Sequence, residues 1–108
     1  MFGTGEPISV TISHRLGRDD AKRRIERGLD AVRAEALRYV ASLDYRWEGY
    51  RLQFTAAVLR QTITGRLDVY DDCVRLEFML PHLLHLAART IAGRIERRGK
   101  ALLEGPKR

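Results

Sequence analysis

The chain is poor in the residues that carry covalent and metal chemistry. It has one cysteine, Cys73, and three histidines, His14, His82 and His85, in 108 residues. A single cysteine excludes an internal disulfide and a cysteine-cluster zinc site. His82 and His85 stand three apart, but no acidic residue lies at a matching spacing and HExxH is absent, so no metal site is expected. The serines Ser9, Ser13 and Ser42 lie outside any GxSxG elbow. There is no GxxxxGK[ST] loop, and Gly3-Thr4-Gly5 precedes a strand pattern instead of joining a strand to a helix. Cys73 has only Arg75, two residues on, to favour a thiolate, and a passive role is the expectation. No enzyme and no cofactor is predicted. No apolar run approaches the ~18 residues of a membrane-spanning helix. Met1–Pro7 has neither a basic nor a long apolar stretch, so no secretory signal is expected and an intracellular address follows.

What the chain does have is basic charge in one place. The net charge is +6. Residues 15–44 carry eight basic against six acidic groups, and residues 45–80 are balanced. Residues 81–108 hold Arg89, Arg94, Arg97, Arg98, Lys100, Lys107 and Arg108 against Glu96 and Glu104, which is +5 of the total. A basic terminal helix suits an anionic surface, whether nucleic acid, phospholipid or an acidic partner. It also complements a helix dipole and keeps a small protein soluble.

Hydrophobic spacing predicts the elements of one domain spanning residues 1–108. Residues 1–7 read as a loose lead-in. Ile8, Val10 and Ile12 then alternate with Ser9, Thr11 and Ser13, the period of a half-buried strand. Asp19 and Asp20 open a helix on which Ala21, Ile25, Leu29, Val32, Ala36, Val40 and Leu43 recur at steps of three and four, predicting a span from about Arg18 to about Leu43. Asp19–Arg23 and Asp20–Arg24 are expected to pair along its exposed side. Gly28 is expected to mark a close approach to the sheet.

The period then changes to two. Tyr45 and Trp47 share one side, Glu48-Gly49 turns the chain, and Tyr50, Leu52 and Phe54 alternate with polar residues through about Val58. Ile63, Gly65, Leu67 and Val69 share the next face, Asp71-Asp72 makes a turn, and Val74, Leu76, Phe78 and Leu80 share the last. Pro81 is placed in the first turn of a final helix carrying Leu84, Ile91, Ile95 and Leu102 on one stripe. Gly105-Pro106 ends it, and residues 104–108 form a short basic tail. The predicted architecture is α+β, a two-layer antiparallel sheet with two long helices on one face, in the order β-α-β-β-β-β-α. The uncovered sheet face would show Thr64, Arg66, Asp68, Arg75 and Glu77. An alternative has the sheet curling around the last helix and leaving an apolar cavity lined by Trp47, Phe54, Leu67, Phe78 and Ile91.

Several stretches resemble the small polyhydroxyalkanoic acid system proteins of the polyhydroxyalkanoate granule region. Ile8-Ser9-Val10-Thr11-Ile12-Ser13-His14-Arg15-Leu16-Gly17, leading into Asp20-Ala21-Lys22-Arg23-Arg24-Ile25-Glu26, is similar to that family's opening strand and helix start. Tyr45-Arg46-Trp47-Glu48-Gly49-Tyr50-Arg51-Leu52-Gln53-Phe54 is similar to its Trp-acidic-Gly hairpin. Gly65-Arg66-Leu67-Asp68-Val69, then Val74 to Phe78, Leu80-Pro81 and Leu83-Leu84, is similar to its closing strands and last helix. The segment Thr55–Thr62 departs from the pattern, with Ala56, Ala57 and Val58 in place of a more polar, glycine-bearing connection. The resemblance implies a bacterial cytosolic protein tied to storage-polyester metabolism, and it carries over no catalytic residue.

Three functional readings follow. The first is a non-enzymatic accessory protein at the granule surface or on a granule protein. It rests on the basic amphipathic final helix from Leu84 to Leu102, whose apolar stripe meets a hydrophobic surface if it leaves the sheet. Since the core also requires that stripe, Met79, Leu83 and Leu86 are the further apolar contributors. The second is a module for a small acyl ligand held in the Trp47, Phe54, Leu67, Phe78 and Ile91 cavity. The third is a nucleic-acid-binding regulator using Arg23, Arg24, Arg27, Arg94, Arg97 and Arg98 as phosphate contacts, with no RNP-like motif or GXXG loop to support it. The same arginines are the candidates for any anionic surface. A homodimer would serve each reading.

Overall fold

The computed structural model describes residues 5–38, 40–58 and 60–104, with the side chains of Glu6, His82, Leu83 and His85 outside the description. The elements are β1 (Gly5–Ser13), α1 (Arg18–Ala36), β2 (Ser42–Glu48), β3 (Arg51–Val58), β4 (Gln61–Val69), β5 (Cys73–Pro81), a 3-10 segment (His82–Ala87) and α2 (Ala88–Glu104). This is the predicted α+β order.

The five strands form one antiparallel sheet in the order β1-β5-β4-β3-β2. Strand β1 is one edge and β2 the other, so α1 carries the chain from edge to edge and the β2–β5 meander brings it back. Alternation decides which face is covered. Ile8, Val10 and Ile12 of β1, Leu52 and Ala56 of β3, Ile63 and Val69 of β4, and Val74, Phe78 and Leu80 of β5 are buried together with Ala21, Ile25, Ala88 and Leu103 of the helices. The residues between them on each strand point to the uncovered face.

Several expectations are corrected. Helix α1 ends at Ala36, not near Leu43, and β2 begins at Ser42. Val40 and Leu43 fit a helical stripe, but Leu43, Tyr45 and Trp47 also fit a strand. Pairing with β3 over the whole of β2, from Ser42↔Ala57 to Glu48↔Arg51, gives these residues ladder bonds in place of helical ones. The lead-in is shorter than seven residues, because Gly5 already pairs with Pro81. That pairing also holds Pro81 at the end of β5, and the 3-10 segment separates it from α2. Glu104 is the last residue of α2, and Gly105, Pro106, Lys107 and Arg108 lie outside the described residues. Gly28 meets α2, not the sheet: a Cβ there would lie 2.2 Å from Leu102 Cδ2. Asp20 pairs with Arg23 one turn on, not with Arg24.

Glycine is required at two further positions. Gly49 takes φ 62 in the β2–β3 turn. At Gly65 a Cβ would come within 2.5 Å of the Phe54 ring and 2.6 Å of the Glu77 carbonyl oxygen. The glycine lets the Phe54 and Phe78 rings approach to 6.4 Å between centroids at 58°.

Candidate functional site

The antiparallel order sorts the connections to two ends of the sheet. The β1–α1 loop, the β2–β3 turn and the β4–β5 turn meet at one end, as the pairs Ser13↔Cys73, Val69↔Val74 and Arg51↔Asp68 require. The start of β1, the α1–β2 connection, the β3–β4 hairpin and the 3-10 segment meet at the other, marked by Gly5↔Pro81, Ser42↔Ala57 and Val58↔Gln61.

The first end collects Asp19, Asp20, Glu48, Asp71 and Asp72 and is tied shut by its own contacts. The Tyr50 hydroxyl donates to Asp19 Oδ1 at 2.5 Å. The Arg18 guanidinium lies 4.3 Å above the Tyr50 ring and donates through Nε to the Val69 carbonyl at 3.0 Å. Lys22 donates to the Gly49 carbonyl at 2.7 Å while its ammonium sits 4.9 Å from the Trp47 ring. Gly17, the residue before α1, offers no side-chain cap, and Asp71 Oδ1 accepts from the Arg18 N–H instead, at 3.2 Å. His14 accepts the Leu16 N–H on Nδ1, which leaves Nε2–H to donate to the Tyr70 carbonyl at 3.1 Å. The hydrogen bond to Asp19 raises the Tyr50 pKa above its ordinary value, so the phenol stays protonated. These contacts latch α1 to the turns.

The second end is different in kind. Leu86 of the 3-10 segment is 91% exposed, and Met79 (45%) and Leu37 (38%) are partly exposed. Exposed Arg38, Arg60 and Arg89 stand on the connections and at the start of α2. Arg60 adopts φ 65 at the tip of the β3–β4 hairpin. Glu35, the acid nearest the end of α1, is held by Arg98. Glu6 and Asp44 complete the acids on the neighbouring strand ends. Exposed apolar side chains and arginines share this end of the sheet, which makes it the candidate contact surface. Leu86 and Met79 were legible in the sequence as leftovers from the core, and the Leu83 side chain lies outside the described residues. Leu37, Arg38 and Arg60 were missed. Counting which connections of an antiparallel meander share an end would have found them.

The predicted anionic-surface arginines divide into two groups. Arg24 donates to the Leu103 carbonyl at 3.1 Å and Arg98 pairs with Glu35, so these two fasten the helices to each other, while Arg23 pairs with Asp20 within α1. Arg27, Arg94 and Arg97 are exposed on α1 and α2. Of the five predicted cavity residues, Phe78 is buried and Trp47, Phe54, Leu67 and Ile91 are half-buried against the core. Two surface depressions lie at the latched end, around Arg18 and Tyr50, and include none of the five. His82 and His85 belong to the 3-10 segment, with side chains outside the described residues. Among the described residues no three His, Cys, Asp or Glu side chains converge. No helix among them is long and apolar enough to cross a membrane. The Cys73 thiol is pushed up, first by burial and then by the Asp72 carboxylate, and Arg75 opposes this only in part.

The uncovered sheet face carries a ladder of alternating charge. Arg51 pairs with Asp68 at 2.7 Å, Arg66 with Asp68 at 3.5 Å and with Glu77 at 2.8 Å, and Arg75 with Glu77 at 2.8 Å. Arg46 pairs with Glu48 at 3.2 Å, and Gln53 donates to the same carboxylate at 2.8 Å. The face neutralises itself and leaves no strong field for an ionic partner.

The fold is a small α+β domain whose two ends differ, one latched and one carrying the candidate contact surface. Residues 8–103 match the family described as "putative polyhydroxyalkanoic acid system protein", and the chain belongs to that family. No curated protein and no solved structure matches it.

Proposed function

We propose that the protein is a non-enzymatic accessory protein of the polyhydroxyalkanoate system, acting at the surface of the storage granule in the bacterial cytoplasm. The observation that carries this reading is Leu86, 91% exposed in the 3-10 segment at the end of the sheet that also bears Met79, Leu37, Arg38, Arg60 and Arg89. Family membership supplies the polymer system. The chemistry of the end supplies the mode of contact, with a leucine entering an apolar surface while arginines stay in water at its rim. The stripe of α2 is not needed for this contact. Ala88 and Leu103 are buried, and Ile91, Ala92, Ile95 and Leu102 are half-buried, so α2 stays on the sheet while the end docks. The non-enzymatic reading is supported by the engagement of Tyr50, Asp19 and His14 in local latches and by a Cys73 thiol held away from the thiolate.

The test is co-sedimentation with purified granules stripped of their proteins, at low and high salt. Neutral and anionic vesicles and duplex DNA serve as comparisons. Binding to stripped granules that survives high salt is expected. Full burial of a leucine is worth about 1.5–3 kcal/mol, so Leu86→Asp should weaken binding roughly 10- to 100-fold. Binding only to unstripped granules would move the contact to a granule protein. Binding to DNA or anionic vesicles alone, lost in salt, would reduce the surface to a general anion patch.

A further inference from the structure

We propose that the outer edge of β1 pairs with β1 of a second copy of this chain, antiparallel across a two-fold axis at Thr11. The hydrogen-bond parity of the strand leads to this. His14 N–H donates to the Asp72 carbonyl at 2.9 Å, which continues the β1–β5 register Ser13↔Cys73, Ile12↔Val74 and Thr11↔Arg75. In an antiparallel ladder, residues alternate between those whose N–H and C=O both point at the neighbour and those whose groups both point away. If His14 points at β5, so do Ile12, Val10 and Ile8. Ser13, Thr11, Ser9 and Pro7 therefore direct their backbone groups outward, past the edge of the sheet.

Pro7 fits this assignment, because proline is tolerated where no ladder N–H is needed. It also sets the register. Centring the pair on Thr11 opposes Thr11 to its copy and Ser9 to Ser13 of the other chain. Every outward N–H from Ser9 to Ser13 then finds a carbonyl, and Pro7 falls just beyond the ladder. Each of these pairs exchanges both of its backbone bonds. Their side chains are hydroxyls on the uncovered face, a favourable kind of cross-strand pair.

The two edges of the sheet differ in the way this requires. Strand β2 carries Asp44, Arg46 and Glu48 along the uncovered face, the usual protection against edge pairing. Strand β1 carries no charge from Pro7 to Ser13. A net charge of +6 opposes association in general, so an uncharged edge is where two copies can meet.

Helix α2 adds an independent observation. It turns Gly99 onto Ile12 of β1 and Leu102 onto Gly28 of α1. Helical spacing then puts Arg89, Gly93, Glu96 and Lys100 on the flank away from α1, above the β1 edge. A Cβ at Gly93 would meet only the Arg97 Nη1 atom, at 3.5 Å, so nothing inside the chain calls for glycine there. Across the two-fold axis the same flank faces its copy. Gly93 lets the helices approach.

Sedimentation equilibrium on the full chain, with amide exchange read residue by residue, tests the proposal. A dimer is expected, with the Thr11 amide protected although no residue of its own chain accepts from it. Thr11→Pro keeps the β1–β5 bonds and removes the central intermolecular pair, so the dimer dissociation constant should rise roughly 10- to 100-fold. Thr11→Lys sets two ammonium groups opposite each other on the axis and should give a folded monomer whose residue-11 amide exchanges freely. A wild-type monomer overturns the proposal. So does a dimer whose Thr11 amide exchanges freely, or one that both variants leave intact.

Discussion

Gly65 offers the sharpest test of how the core is assembled. Replacing it by alanine adds one methyl group and, in an isolated strand, would help by about 0.5–1 kcal/mol because glycine costs backbone entropy. The surroundings oppose that gain. The new Cβ would stand 2.5 Å from Phe54 Cζ, 2.6 Å from Phe78 Cβ and 2.6 Å from the Glu77 carbonyl oxygen. The Phe54 ring can tilt. The carbonyl cannot move without disturbing β5, where Glu77 pairs with both Arg66 of β4 and Ser9 of β1. Overpacking of this kind costs about 1–3 kcal/mol, and the backbone contact puts the expectation at the upper part of that range. Gly65→Ala should therefore be less stable than the natural chain by about 2 kcal/mol, a fall in Tm of roughly 8–16 °C for a domain of this size. Gly28→Ala is the matched comparison. The three atoms nearest its Cβ would all belong to Leu102, two methyl groups at 2.2 and 3.3 Å and Cγ at 3.3 Å. A flexible side chain can retreat, and alanine gains about 0.8–1 kcal/mol over glycine inside a helix. Gly28→Ala should change stability by less than about 1 kcal/mol. Urea unfolding of the three proteins measures both values. If Gly65→Ala is as stable as the natural chain, or Gly28→Ala is the more damaged of the two, the close packing of β4 under Phe54 is wrong.

Two further outcomes follow from the latch and the ladder. Tyr50 holds its proton more tightly folded than unfolded because it donates to Asp19, so its stabilisation is complete below the unfolded value of about 10 and is lost as pH rises through the raised folded value. Urea midpoints at mildly and strongly alkaline pH should therefore fall less for Tyr50→Phe than for the natural chain, and equal slopes would count against the Asp19 contact. Asp68 is 15% exposed between Arg51 and Arg66, so Asp68→Asn should cost about 1 kcal/mol at low salt and less at high salt. A salt-independent loss would assign its role to packing.

The sheet was legible because its apolar residues alternate without interruption: Ile8 to Ile12, Ile63 to Val69 and Val74 to Leu80 each fit one period. Errors arose where two periods fit the same letters. Val40 and Leu43 continue the α1 stripe, yet Leu43 also falls on the β2 alternation, and only the partner strand decides between them. Pro81 suits a helix start or a strand end equally well, and its pairing with Gly5, seventy-six positions away, is not a local property. Gly28 announced a close contact without saying with what. The site was harder to read for the same reason. Leu86 and Met79 could be named as apolar residues that the stripes did not use. Arg38 and Arg60 acquire meaning only once the meander brings their connections to one end. Arg24 looks available in the sequence because its acceptor is the Leu103 carbonyl on the other helix.

The contact end and the β1 edge constrain each other. Strands paired antiparallel run in opposite directions, so a dimer built on β1 carries its two Leu86 ends at opposite poles. Each pole then sets the Leu86 end of one copy beside the Asp19, Asp20, Asp71 and Asp72 end of the other. Carboxylates at the same pole offset Arg38, Arg60 and Arg89, so the anchoring falls mainly on Leu86, Met79 and Leu37 and should depend weakly on salt. Opposed poles cannot both lie on one flat surface, and a dimer of this form is a bridge between two surfaces. The natural chain should cluster stripped granules, with turbidity rising and then falling as protein in excess covers every surface singly. Thr11→Lys should bind the same granules through Leu86 without clustering them. Clustering by that variant, or binding by a natural-chain dimer with no clustering at any ratio, would show that the contact end and the β1 edge are not joined in this way.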